Sequence, residues 1–96
     1  MGPPAIHPGE ILTEEIEYLG MSAVDLACVL GMSVDQITRI LQGGRPVTAE
    51  TALRLSQWLG TSAQVWMNLQ ATYELREAEQ AIGDEIRRTV IRRDAA

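Results

Sequence analysis

The residues best placed to do chemistry lie in one short stretch, residues 33 to 42, where polar side chains recur at helical spacing. With successive residues about 100° apart around a helix, Arg39 and Gln42 face away from the apolar residues of the stretch. Arginine can donate two hydrogen bonds to guanine O6 and N7, glutamine can pair with adenine, and a carboxylate can accept from cytosine N4. The alternative is a solvated face, which any surface helix has. We predict base-edge contacts from Asp35, Thr38, Arg39 and Gln42.

Polar groups beside this face could hold the phosphates of a nucleic-acid backbone. The segment Gly43-Gly44-Arg45-Pro46 should end the helix and expose backbone amides next to an arginine, which suits a phosphate. A plain C-terminal turn explains the two glycines equally well, so Arg45 is the more informative residue. Phosphate contacts are predicted for Ser22, Ser33, Gln36, Gly44 and Arg45.

Residues 23 to 42 have the spacing of two helices joined by a tight turn. Four aliphatic residues fall where two steeply crossed helices bury apolar side chains: Leu26, Leu30, Ile37 and Ile40. Ala27 is small enough for the crossing point, and Gly31 stands where a left-handed C-cap favours a residue without a Cβ. Ser33 and Gln36 have the spacing of a capping box. The pattern is typical of a helix-turn-helix, whose second helix enters the major groove of DNA.

A further helix should precede this unit. Pro8 suits the first helical position and Glu10 the third, where the amide dipoles favour an anion. We expect this helix to run from Pro8 to Tyr18 or Leu19 and to stop before the next glycine. The only histidine, His7, has no Cys, Asp or Ser partner at a useful spacing, so we interpret it as a capping or packing residue.

Two more helices should follow, with Thr48 and Ser62 as their N-caps. Beyond residue 73 the chain becomes polar, and Gly83 is expected to break the fifth helix. Asp84 could then cap a short last helix; the alternative is a frayed tail with arginines near a helix C-terminus. The predicted fold is all-α. The predicted organisation is a flexible N-terminus (1–5), a helix-turn-helix domain (6–81) and a C-terminal extension or tail (82–96).

Apolar residues at helical spacing indicate the core of the domain. The only cysteine, Cys28, lies beside the core face of the second helix, so we interpret it as a small buried hydrophobe. A single cysteine excludes a disulfide framework and a Cys-rich zinc site. Other side chains expected to be buried are Ile11, Leu12, Ile16 and Leu19, Val34 and Leu41, Ala52, Leu53, Leu55, Ser56, Trp58 and Leu59, and Val65, Trp66, Leu69 and Tyr73.

Charge is distributed unevenly along the chain. The net charge of −5 opposes the basic footprint of a DNA-binding protein. All eight basic residues are arginine, however, and none precedes Arg39. The stretch 36–57 holds three arginines against Glu50 alone, so the part that would face DNA is locally positive. The acidic surplus lies in the first third of the chain, which leaves room for a basic partner protein.

Other classes of protein find little support in the sequence. No stretch approaches the roughly 20 apolar residues of a membrane span, and no basic start leads into an apolar run, so we expect a cytoplasmic protein that does not enter a membrane. The chain has one histidine, no glycine-rich phosphate loop and no paired carboxylates in a plausible cleft. We therefore predict no enzymatic activity, no catalytic residue, no cofactor and no metal.

Four blocks in the right order resemble the HigA-type antitoxins of bacterial toxin-antitoxin modules, also called VapI-like, within the Xre/Cro group of helix-turn-helix regulators. The blocks are Ile6-His7-Pro8-Gly9-Glu10, the motif from Asp25-Leu26-Ala27 to Ile37, the run Thr48–Leu55, and Trp66-Met67-Asn68-Leu69-Gln70 with Tyr73-Glu74-Leu75-Arg76. The segments Ala78-Glu79-Gln80 and Gly83-Asp84-Glu85-Ile86 are similar to GraA-type members.

This resemblance implies a five-helix, lambda-repressor-like domain that dimerises and binds a palindromic operator in its own promoter. It also implies a cognate toxin, a small RelE-like mRNA nuclease. Dimerisation has a physical reason, because one recognition helix reads only a few base pairs and two copies read half-sites about one helical turn apart.

The chain departs from the family pattern at two places. Ala23 stands where many relatives have a glutamine that reaches a phosphate, and Val34 and Asp35 stand where many have a basic or amide residue. A carboxylate at that place repels the DNA backbone unless it meets a cytosine amine or an arginine one turn on. Together with the acidic balance, Asp35 leaves open a protein-binding module without DNA contact. A stand-alone transcriptional regulator without a toxin is the other alternative.

Overall fold

The computed structural model describes residues 4–94, and five α-helices make up the regular structure of that range. The helices are α1 (Pro8–Leu19), α2 (Ala23–Leu30), α3 (Val34–Leu41), α4 (Ala49–Leu59) and α5 (Ala63–Thr89). The all-α fold and the five predicted helix starts are confirmed. Most of the flexible segment predicted at residues 1–5 lies outside the described residues.

Two serines start the helices of the helix-turn-helix unit. The Ser22 hydroxyl accepts from the Asp25 backbone N–H (3.1 Å), and the Asp25 carboxylate accepts from the Ser22 N–H (2.9 Å). These hydrogen bonds, first that to the Ser22 backbone and then that to its side chain, lower the pKa of Asp25. Ser33 and Gln36 form the same reciprocal pair at 3.1 and 3.3 Å. Gly31, with φ +68°, makes the left-handed turn between α2 and α3, so the predicted unit is confirmed.

His7 ties three parts of the domain together. Its Nδ1 accepts from the Gly9 backbone N–H (2.8 Å), and the Glu10 carboxylate accepts from the His7 N–H (3.3 Å), which caps α1. Its ring makes a T-shaped contact with that of Tyr73 in α5, with ring centroids 4.8 Å apart. The ring also lies against Gly43 in the turn after α3, where an added Cβ would be 3.7 Å from its Cγ. The interpretation of His7 as a capping and packing residue is confirmed.

At Gly9, α1 comes into close contact with α3. A Cβ at this position would overlap the carbonyl oxygen of Ile40, which belongs to the backbone and cannot swing aside. The two helices therefore cross in backbone contact, with the Ile40 side chain fully buried and the Ile37 side chain 1% exposed beneath them. This contact fixes the position of α3 on the domain.

Five residues that were expected in the core lie at the surface, so those predictions are wrong: Leu19, Cys28, Val34, Leu53 and Val65. On α2 the buried side is set by Leu26, Ala27 and Leu30, and Cys28 is turned about 100° or more from each of them. Val34 lies in the first turn of α3, at the edge of the core, and is 43% exposed.

The fifth helix continues through Gly83 without a break, so the predicted interruption and separate last helix are wrong. The Arg87 guanidinium pairs with Glu79 (2.8 Å) and with Asp84 (2.6 Å). The Glu79 carboxylate lies over Gly83, in the space that a Cβ would occupy. These pairs along the surface support the last turns, and Asp84 joins them instead of capping a new helix.

The long α5 makes the molecule elongated, with principal extents of 54 × 22 × 21 Å. Its first half packs on α4 and carries the buried residues Trp66 and Gln70. Its second half leaves Ile82 and Ile86 exposed, and the C-cap residue Val90 is exposed as well. The division of the chain at residue 82 stays a prediction, since one helix crosses that point.

Replacement of Gly9 tests the close crossing of α1 and α3. We expect Gly9→Ala to lower the free energy of unfolding by about 1–3 kcal/mol, because the helices must separate to admit the methyl group. Gly44→Ala is the matched control, since its Cβ would meet its nearest neighbour at 3.7 Å and its φ needs no glycine. Urea unfolding measures both. Equal stability of the two variants would contradict the close crossing.

Candidate nucleic-acid interface

The outward side of α3 carries the polar residues that were predicted to meet base edges. Because Ile37 and Ile40 hold the opposite side in the core, Arg39 and Asp35 extend into solvent, with side chains 64% and 71% exposed. They form an i,i+4 ion pair, with the Arg39 Nε 3.1 Å from the Asp35 Oδ2. Gln42, the exposed C-cap residue of α3, follows on this surface, while Thr38 is half-buried at its flank. We call this surface, formed by Asp35, Thr38, Arg39 and Gln42, the α3 face.

The predicted phosphate contacts at the helix starts remain accessible. The hydroxyls of Ser22 and Ser33 are exposed and accept from backbone amides, so each keeps its own O–H for donation. Gln36 uses its side-chain oxygen in the capping box, which leaves its amide NH₂ as the donor for an outside group. All three residues can thus cap a helix and still offer a donor to a phosphate.

The two glycines after α3 serve the helix end. The Gly43 N–H donates to the Ile40 carbonyl (3.0 Å), and the Gly44 N–H donates to the Arg39 carbonyl (2.9 Å). The Gly44 amide, which was predicted as a phosphate donor, is therefore engaged within the protein. The half-buried Arg45 next to it makes no hydrogen bond or ion pair within residues 4–94. Of this turn, the Arg45 side chain is the group left to bind an anion.

Arg54 does not belong to this surface, although it contributes to the locally positive stretch of the sequence. Its Nη1 donates to the carbonyls of Leu30 (2.9 Å) and Gly31 (3.3 Å), and its Nη2 pairs with Glu50 at 3.1 Å. The guanidinium thus satisfies the C-terminal carbonyls of α2 from α4. Of the positive charge counted in the stretch 36–57, the Arg54 guanidinium is thus engaged within the protein. The four-residue spacing of Glu50 and Arg54 predicts their ion pair, but no local sequence pattern predicts the contact of Arg54 with α2.

Gln70 is a positioning residue whose role the sequence pattern did not reveal. It is 5% exposed, its Oε1 accepts from the Val47 backbone N–H (2.8 Å), and its Nε2 donates to Glu74 (2.8 Å). Val47, itself 1% exposed, ends the loop that carries Arg45. This buried amide therefore anchors the loop beside the α3 face. The one signal in the sequence is that the polar Gln70 lies four residues after Trp66, on the same side of α5.

The outer side of α1 has the opposite character. Glu10, Glu14 and Glu17 recur there at i, i+4 and i+7, and Tyr18 beside them is 87% exposed. None of these glutamates forms a salt bridge among the described residues. We call this surface, defined by Glu10, Glu14, Glu17 and Tyr18, the acidic α1 face.

No group of three or more His, Cys, Asp or Glu side chains within residues 4–94 is arranged to hold a metal ion. No helix within the same range is long and apolar enough to cross a membrane.

Comparison with known proteins places this geometry in a family. A helix-turn-helix family model matches residues 15–66. The virulence-associated protein I of Dichelobacter nodosus is 50% identical over 78 residues, which are 80% of this chain and 72% of that protein. A HigA-family addiction module antidote protein from Coxiella burnetii has a TM-score of 0.93 at 42% identity, over 95% of this chain and all of that one. An antitoxin GraA solved in complex with its operator has a TM-score of 0.92 at 46% identity, over 99% and 97% of the two chains.

Two arginine variants separate the structural role from the interface role. Arg54→Ala should lower the free energy of unfolding by about 1–2 kcal/mol, because the carbonyls of α2 lose a charged donor. Arg45→Ala removes the same side chain from the neighbouring loop and should change stability by less than about 0.5 kcal/mol. Thermal unfolding of the two variants at one pH makes the comparison. An equal loss of stability in both variants would contradict a structural role for Arg54 and an interface role for Arg45.

Proposed function

Because the chain belongs to the helix-turn-helix family of the Xre type, with HigA and GraA antitoxins as structural neighbours, we propose that it is an antitoxin that represses its own operon by binding operator DNA. The observation that carries this proposal is the α3 face, an exposed polar surface centred on Arg39 and fixed from behind by buried isoleucines. The GraA neighbour, 46% identical, was solved on its operator. The proposed setting is the cytoplasm, where operator DNA lies.

In this proposal α3 enters the major groove and Arg39 donates its two hydrogen bonds to a guanine. Gln42 contacts the next base edges, with Thr38 at the border. The Arg45 guanidinium binds a phosphate beside the groove, and the small Gly44 lets the backbone of this turn approach the DNA. The remaining phosphate donors are Ser22, Ser33 and Gln36.

The proposed DNA-binding unit is a homodimer. An α3 face of four side chains covers few base pairs, too few to select one operator in a genome. Two copies related by a two-fold axis would read two half-sites about one helical turn apart, in a palindromic operator.

The proposed partner of the acidic α1 face is a small basic toxin of the RelE-like nuclease class. Like charges at i,i+4 disfavour a helix, and nothing within residues 4–94 neutralises Glu14 or Glu17. A basic partner would relieve this repulsion, and the exposed Tyr18 would supply contact area of the kind enriched in protein interfaces. DNA and toxin would then use different surfaces of the same domain.

Binding to a duplex from the region upstream of its own operon tests the DNA part. Arg39→Ala should weaken binding by about 1–3 kcal/mol and relax specificity at one base pair, because it loses a bidentate base contact. Arg45→Ala should weaken binding to all duplexes alike and reduce the salt slope by about one, because it loses one phosphate. Fluorescence anisotropy at several salt concentrations measures both. Unchanged operator binding by Arg39→Ala would contradict the role assigned to the α3 face.

Co-expression with the adjacent reading frame tests the toxin part. The wild-type chain should copurify with that product and rescue growth. Glu14→Lys should weaken the complex at least tenfold, because it places a like charge against a basic partner. The matched control is Glu85→Lys, an exposed carboxylate of α5 outside the acidic α1 face. Operator binding without copurification or rescue would favour the stand-alone regulator.

A further inference from the structure

The Asp35–Arg39 ion pair adds little to the fold. Both side chains are more than half exposed, and such i,i+4 pairs stabilise a helix only slightly. Asp35 is also the acidic residue on the one face that, in the proposed function, approaches DNA, where a carboxylate is repelled by phosphates. Neither stability nor general DNA affinity therefore explains why a carboxylate stands here.

The geometry of the pair leaves one donor edge of Arg39 unused. A guanidinium has five N–H donors arranged along a Nε–Nη edge and a Nη–Nη edge. The carboxylate of Asp35 meets the Nε, at 3.1 Å. The guanidinium has no second partner within residues 4–94, and two parallel donors from its Nη–Nη edge match guanine O6 and N7.

We propose that Asp35 is a positioning residue that holds Arg39 for guanine and thereby determines specificity, instead of reading a base itself. This inference rests on the proposed operator binding. Without its partner, the long Arg39 side chain has many rotamers and can settle on any nearby phosphate. With the pair intact, capture by a phosphate requires that the ion pair break, whereas a guanine in the groove is met without rearrangement. Asp35 thus lowers affinity for all duplexes and raises the preference for the operator.

The test compares Asp35→Asn with Glu50→Gln. The Asn variant keeps the size of the side chain and removes its charge, and the Gln variant does the same to the i,i+4 ion pair of α4, away from the α3 face. Three probes are used in fluorescence anisotropy: the upstream duplex of the operon, a set of duplexes with each G·C pair of the half-site replaced, and a random duplex of equal length. Thermal unfolding of each variant reports any loss of fold.

For Asp35→Asn we expect several-fold tighter binding of the random duplex and about a tenfold loss of discrimination at one guanine, with the melting temperature unchanged. Arg39→Ala should abolish discrimination at that same guanine, and the double variant should lose no more than Arg39→Ala alone. Arg39→Lys keeps the charge but lacks the pair of parallel N–H donors, so it should also lose discrimination at that guanine. Glu50→Gln should leave the relative affinities for the upstream, substituted and random duplexes as in the wild type.

Three results would overturn the inference. If Asp35→Asn tightens binding to all duplexes by one factor, the carboxylate is only a repulsive charge. If it loses discrimination at a cytosine that Arg39→Ala leaves intact, Asp35 reads that base directly. If the wild-type chain shows no preference for the upstream duplex over the random one, the proposed function itself fails. The wild-type affinities are therefore measured before any variant is compared.

Discussion

The backbone contact between Gly9 and Ile40 is the constraint on which the other features of the domain depend. It sets α1 directly on α3, while the neighbouring His7 caps α1 and packs on both Tyr73 and the turn after α3. The polar α3 face is consequently presented by a short helix whose other side is fully engaged. Such a helix of eight residues has little stability alone, so tertiary packing must hold it.

Little positive charge is available for DNA in the stretch 36–57 of this acidic chain. Of the three arginines between residues 36 and 57, Arg54 serves α2, Arg39 is paired with a carboxylate, and only Arg45 extends from its loop without a protein partner in the described range. General attraction to phosphates is therefore weak for a DNA-binding surface, and in our account recognition relies on the geometry of a few donors. The acidic surplus is concentrated elsewhere, on the acidic α1 face.

The features that local rules govern could be predicted from the sequence, and long-range contacts could not. The caps at Ser22 and Ser33 follow from a spacing of three residues, and the outward direction of Arg39 follows from the helical period. The contact of Arg54 with α2 and that of Gln70 with the α3–α4 loop join residues more than twenty positions apart, which no local pattern reveals. The break expected at Gly83 fails for a different reason, since ion pairs within α5 support the helix there, and their balance against a glycine is not evident from spacing alone.

The function proposed for this chain depends on recognition of DNA by the α3 face. The most direct measurement is backbone and arginine-side-chain NMR of the labelled full chain, titrated with the upstream duplex at moderate salt. We expect the largest shifts on Asp35 to Arg45, including the Arg39 Nε, while the signals of Glu14 and Glu17 on α1 stay unchanged. Shifts confined to α1, or an Arg39 signal that does not move in a saturated complex, would contradict recognition of DNA by the α3 face.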